Sequence, residues 1–173
     1  AYVFIASVTA SNDATIDING SFSSTYDEYE IRITDMYLIM DGQELDLRVM
    51  IAGSIKTDGT GYAYGGSYFG DDTDNSNSKS AAFGHVRMIS CAGTSTSEGF
   101  SGVIRVSNPL GTAGYCNIHT TMWGRNCGGH VEHWETAAQY DVATTALTGV
   151  SFSNVGGGNV STGEFRLYGI TTS

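Results

Sequence analysis

The chain of 173 residues contains one proline and only six leucines, against 38 serines and threonines and 23 glycines. Leucine poverty of this kind argues against helical bundles, and the Thr, Val, Ile and Tyr that carry the periodic segments favour sheets. No stretch approaches the roughly 20 apolar residues of a membrane helix. Positive charge is scarce too: eight basic residues face 18 acidic ones, for a formal charge of −10. Arg32, Arg48, Arg87 and Arg125 stand singly, so binding to nucleic acid or to an anionic membrane, which needs a concentrated positive face, is not expected. Three cysteines cannot all pair internally, which speaks against a disulfide-framework module. Cys91, Cys116 and Cys127 are expected to be thiols, with room for one bridge, and reducing assembly conditions are preferred.

What the chain does have is alternation. Leu45, Leu47, Val49 and Ile51 alternate with Glu44, Asp46, Arg48 and Met50, a period of two that sends one set to a core and the other to water. Tyr29, Ile31 and Ile33 alternate likewise with Glu30, Arg32 and Thr34, and Asp41-Gly42 tolerates positive φ, so the whole stretch reads as one hairpin. Strands are expected at 2–9, 14–19, 27–40, 44–52, 61–69, 81–91, 99–107, 114–123, 129–136, 148–154 and 162–171. Turn residues separate them, among them Asp58-Gly59, Asn108-Pro109 and Gly156-Gly157-Gly158-Asn159. Short strands at this spacing predict one antiparallel β-sandwich over 1–173.

Residues 70–80 are polar and predict a surface loop, while Ala137, Ala138, Ala143 and Ala146 leave room for a helical turn within 135–145. There is no repeat of solenoid or propeller length. The apolar opening Tyr2–Val8 lacks a charged leader and reads as a first strand, and a start at Ala1 fits removal of an initiator Met.

Metal-type ligands concentrate once, at Cys116, His119, Cys127, His130 and His133. Four of these, Cys116, His119, Cys127 and His130, could surround zinc, yet strand residues three apart face opposite ways, so convergence requires a bulge. A Cys116–Cys127 bridge is a second reading. Buried thiols and hydrogen-bonded imidazoles are the plainer one and carry more weight, and a nucleophilic Cys–His pair lacks any orienting third group. Asp71-Asp72-Thr73-Asp74-Asn75 invites calcium, but counting from Asp72 the sixth position is Asn77 and the twelfth Phe83, where an EF-hand loop requires Gly and Glu. His130-Val131-Glu132-His133 has the wrong spacing for a helical zinc-protease motif, and no glycine cluster forms a phosphate loop. No cofactor and no catalysis are therefore expected. Tyr62, Tyr64, Asp72, Asp74 and Trp123 are the candidates for a ligand or partner surface.

Two segments carry a resemblance. Ser23-Ser24-Thr25-Tyr26-Asp27-Glu28-Tyr29-Glu30-Ile31-Arg32-Ile33, continuing to Leu45-Asp46-Leu47-Arg48, resembles the opening of small bacteriophage virion structural proteins of marine and cyanobacterial phages. Gly163-Glu164-Phe165-Arg166-Leu167-Tyr168-Gly169-Ile170, preceded by Ala146–Phe152, resembles their final hairpin. The resemblance implies a jelly-roll-like sandwich of about ten strands in the virion, assembled in the host cytoplasm. It further implies a capsid decoration (cement) protein whose partners are itself, as a homotrimer, and the major capsid protein. The alternative it allows is a receptor-binding fibre tip or lectin-like module that meets a host surface glycan.

Overall fold

The computed structural model describes residues 1–71, 76–142, 144–154 and 156–171. In chain order the strands are β1 (Tyr2–Asp13), β2 (Thr15–Asn19), β3 (Glu28–Leu38), β4 (Gln43–Ile51), β5 (Ser54–Ile55), β6 (Tyr62–Gly70) and β7 (Ser76–Phe83). They continue as β8 (Val86–Ala92), β9 (Phe100–Ser107), β10 (Asn117–Arg125), β11 (Val131–Tyr140), β12 (Gly149–Ser153) and β13 (Val160–Ile170). Among the described residues there is no helix. Eight strands form one antiparallel sheet in the order β1-β13-β3-β9-β10-β11-β6-β7. A smaller sheet runs β2-β12-β4-β5, with β8 paired to β4. The chain is thus an all-β sandwich of two antiparallel sheets.

Alternation places the core between the sheets. Tyr29, Ile31 and Ile33 of β3, Phe100, Ile104 and Val106 of β9, and Phe165 and Leu167 of β13 are buried, while every second residue between them faces outward. Leu45, Leu47 and Val49 of β4 and Val150 and Phe152 of β12 answer them from the small sheet. The rings of Phe152 and Phe165 meet with centroids 5.0 Å apart. Tyr62, fully buried, gives its hydroxyl to the carbonyl of Lys56 and accepts the amide of Val49 at 2.9 Å, so its polar end is satisfied inside the core.

The stretch from Tyr29 to Ile51 is not a hairpin. β3 pairs with β13 and β9, β4 pairs with β12, β5 and β8, and Asp41-Gly42 carries the chain from one sheet to the other. Gly42 does have the positive φ expected of it, 70°, and its amide donates to the Ala92 carbonyl instead of closing a two-strand ladder. Alternation states which face of a strand is apolar and leaves its neighbour open. On β4, moreover, Asp46 and Met50 are buried on the face expected to meet water.

Two expected connections also turn out to be strand. Ser76–Phe83 forms the edge strand β7, hydrogen-bonded to β6, and begins inside the 70–80 segment whose polarity signalled loop; the single strand expected at 81–91 is split, its start ending β7 in the large sheet and its remainder forming β8 beside β4. An edge strand with a wetted face needs little apolar alternation, which is why the signal was absent. Similarly β11 continues to Tyr140, so no helical turn occupies 135–140.

The cysteines correct the expectation of three thiols. Cys91, at the end of β8, is bonded to Cys127, just after β10, with Cα atoms 5.4 Å apart. The Cys127 amide donates to the Cys91 carbonyl and Ala92 bridges to Asn126, so the bond ties the small sheet to the large one. Cys116 remains a buried thiol whose pKa burial pushes up to about 12. With the bonded cysteines separated by 36 positions in sequence, the cross-link is expected to contribute about 3 to 4 kcal/mol through the unfolded state. Replacing both Cys91 and Cys127 by Ser should lower the melting temperature by roughly 10 °C. Equal melting of that variant and the oxidised protein would show that the bond stabilises nothing.

Candidate functional site

The outward face of the large sheet is where chemistry-bearing side chains gather. Strand register sets them in rows. One row runs Phe4, Tyr168, Glu30, Arg105, His119, Ala137 and Gly65. A neighbouring one contains Arg166, Arg32, Val103, Thr121, Glu135 and Ser67. Across β10, β11 and β6 a third aligns Trp123, His133 and Phe69.

The first two rows differ in character from end to end. Near β1, Glu30 is almost fully buried and collects Arg32 Nε at 2.8 Å, Arg105 Nε at 3.3 Å and the Tyr2 hydroxyl at 3.1 Å. The Arg32 guanidinium also lies over the rings of Tyr2 and Tyr168, at 4.8 and 4.9 Å. Those contacts satisfy a carboxylate that would otherwise be costly to bury. Toward β6 the face becomes lower and more open. A depression of about 390 Å³ is lined by Ala63, Gly65, Ser107, Asn117, Ala137 and Gln139 among others. His119 belongs both to it and to an adjoining hollow of about 330 Å³ formed with Val103, Arg105, Thr121 and Trp123.

Polar groups along this groove hold one another in place. His119 Nε2 lies 2.9 Å from Glu135 Oε1, and the Gln139 amide donates to Asn117 at 2.6 Å. Trp123 is 45% exposed and Phe69 54%, whereas Trp134, on the inward side of the next strand, is buried and stacked on Tyr68. One tryptophan is therefore presented to solvent and the other is structural.

A second cluster lies on the small sheet. Glu44, Asp46 and His85 each offer a ligand atom within 4.8 Å of the others. Arg87 already pairs with Glu44 at 2.9 Å, and Arg48 donates to Ser153 and to the Gly84 carbonyl beside it. Glu44 is held by Arg87 and Asp46 lies beside His85, with a second guanidinium, Arg48, close to the imidazole, so the arrangement reads as a polar and ion-pair network rather than a metal centre. His85, 3.1 Å from Asp46, is pushed down to about 4, first by burial and then by the charges of Arg48 and Arg87.

The zinc set does not assemble. Cys116 is buried, His119 faces outward with Glu135, Cys127 is in the disulfide, and His130, exposed at the turn, contacts Asp71 at 3.0 Å. The alternating pleat separates Cys116 from His119, and the bond to Cys91 rules out the Cys116–Cys127 bridge. Tyr62 and Tyr64 point into the core and are not a partner surface; Trp123 alone of the aromatic candidates is exposed. Asp72 and Asp74 lie outside the described residues. The sequence groups Phe69 with Trp123 among aromatics suited to a sugar-stacking platform or a subunit interface, but it does not name His133 beside them, and no sequence signal states that β6, β11 and β10 are adjacent.

Compared with known proteins, the chain matches no protein-family model, no curated protein and no solved structure. Its class is fixed by its own fold, a two-sheet β-sandwich with an aromatic and polar outer face.

Protonation of His85 gives a pH dependence with a definite sign. The folded-state value lies below the ordinary 6.5, so the unfolded chain takes up this proton first as pH falls. Stability associated with His85 is complete above about pH 6.5 and is lost on descending toward pH 4, by at most about 3 kcal/mol. Urea melts of the wild type and His85→Asn across that range should show the steeper loss in the wild type. Parallel curves would contradict the assignment.

Proposed function

We propose that this protein is a structural component of a bacteriophage particle, a capsid decoration protein that acts by association rather than by catalysis. The observation that carries the reading beyond the sequence resemblance is the open edge of β1. It is a strand of 12 residues with no charged side chain before Asp13, and among the described residues it is paired on one side only, to β13. Tyr2, Val3 and Phe4 expose large apolar surface there. Proteins that stay monomeric protect such an edge with charge, proline, bulges or a covering segment; β1 has one bulge, between Phe4 and Ala6, and one charge, at its last residue Asp13, and neither charge nor proline guards Tyr2–Phe4. A second copy of the chain is the partner that fits, because a self-complementary edge extends the sheet across a symmetry axis and covers Phe4 at the same time. A lasting contact of this kind needs roughly 1,200 Å² in total. The Cys91–Cys127 bond runs against the reducing assembly conditions expected from the sequence and suits a surface exposed after release, since disulfides persist on virion surfaces.

A second reading, a receptor-binding tip, is favoured by one specific observation, the outward row of Trp123, His133 and Phe69. Position in the particle separates the two. A decoration protein is present in many copies over the head, and a tip in a few at the tail, so quantitative mass spectrometry of purified particles decides between them. Light scattering should find the wild type as a homo-oligomer and Phe4→Lys shifted toward monomer with its melting temperature nearly unchanged. A wild type that stays monomeric at high concentration and is missing from particles would overturn the decoration reading.

A further inference from the structure

We infer that the groove along β10, from Trp123 through His119 to Asn117, is a binding site for a neutral oligosaccharide. The inference concerns the isolated domain and holds whichever place in a particle the protein occupies. Three features of the groove point to that chemistry.

The first is an exposed ring platform. Trp123, His133 and Phe69 sit side by side on three adjacent strands, about 5 Å apart by strand spacing. A pyranose offers an apolar face of C–H groups that stacks on an indole, while its rim of hydroxyls demands hydrogen bonds. The groove supplies those beside the platform: Thr121, His119, Glu135, Asn117, Gln139 and Ser107 all lie along its walls or floor edge. Ring faces set beside small polar groups in this way suit a sugar better than a protein partner, whose interface core is depleted of charged side chains such as Glu135.

Charge is the second feature. The molecule carries −10 overall, which repels acidic polymers at a distance. Arg105, the strong cation of the groove, shares buried Glu30 with Arg32, and Glu135 is hydrogen-bonded to His119. Charges along the lining are few and mixed in sign, Arg105 against Glu135, so the groove offers neither a polyanion nor a polycation a matching row of charge.

Shape is the third. Trp123 and Asn117 are six residues apart on one strand, about 20 Å, so the groove has the reach of several sugar units rather than one. Its floor at Ala63, Gly65 and Ala137 is kept low by small residues, and a Cβ built on Gly65 meets nothing within 4 Å. The open space above Gly65 belongs to the groove. A larger side chain there would fill the binding volume without disturbing the protein.

That last point provides a test that does not depend on removing the tryptophan. Because Trp134 is buried, acrylamide quenching of fluorescence reports mainly Trp123. Wild-type protein should be protected from quenching by neutral linear hexasaccharides, and the probes to use are maltohexaose, cellohexaose and mannohexaose at up to about 10 mM, the range of a weak but specific site. Gly65→Leu and Trp123→Ala should each weaken binding by about tenfold or more, as read by calorimetry with whichever probe protects, with the circular dichroism spectrum and melting temperature retained. Failure of all three probes to protect Trp123 would overturn the proposal. So would undiminished binding in both folded variants, or protection by the acidic polymer alginate alone. If instead Gly65→Leu and Trp123→Ala dissociate a homo-oligomer, the groove is a subunit interface and the proposal falls.

Discussion

Contact between the inward faces of the two sheets is the condition on which every other feature rests. Each sheet alone would expose a continuous apolar surface, Ile31, Ile104 and Leu167 on one side, Leu47, Val49 and Phe152 on the other, and neither could persist in water. Pressed together they bury those residues completely, and Phe152 meets Phe165 across the layers with ring centroids 5.0 Å apart. Directional bonds then lock the layers. Tyr62 reaches across to the Val49 amide, and Cys91–Cys127 joins the end of β8 to the turn after β10. The first costs little because both ends of the hydroxyl are satisfied, and the second acts chiefly on the unfolded chain.

Once the inner faces are committed, the outer ones are free to specialise, and they do so differently. The small sheet turns outward a compensated network of Glu44, Asp46, Arg48, His85 and Arg87, closely spaced and mostly shielded from water. It is built to stay assembled at neutral pH, with His85 neutral. The large sheet divides its outer face. Toward β1, arginines and tyrosines enclose Glu30; toward β6, small side chains lower the surface and leave Trp123 and Phe69 standing above it. One edge of the sheet, β1, is long and apolar, and the other, β7, is short and polar. An association surface and a small-ligand surface can thus occupy opposite ends of one sheet without competing.

Much of the strand content was legible from residues alone. The alternation in β3 and β4 named Tyr29, Ile31, Ile33, Leu45, Leu47 and Val49 as buried but not Glu30, Asp46 or Met50, and the turn glycine at position 42 has the conformation its neighbours implied. The pairing of those strands was not legible, because an apolar face is satisfied equally by a hairpin partner or by a strand in the opposite sheet. β7 escaped notice since polar residues at a wetted edge follow no period. Among the site residues, Trp123 was recognisable as an exposed aromatic, whereas Tyr62 and Tyr64 share its composition and are buried, a difference set by which side of β6 faces the small sheet. The cysteine and histidine concentration near 116–133 was a concentration in sequence only; the pleat and the β10–β11 turn disperse it.

The sequence by itself determined that this is a sheet protein, where most strands begin and end, and which side of each carries apolar weight, because those properties are local and follow from a two-residue period. Tertiary structure alone decided which strands are neighbours, which two cysteines meet, that Asp46 is buried, and that Trp123, His133 and Phe69 stand in one row. Register between strands distant in sequence depends on how the whole inner surface fits together, and no local pattern encodes that fit.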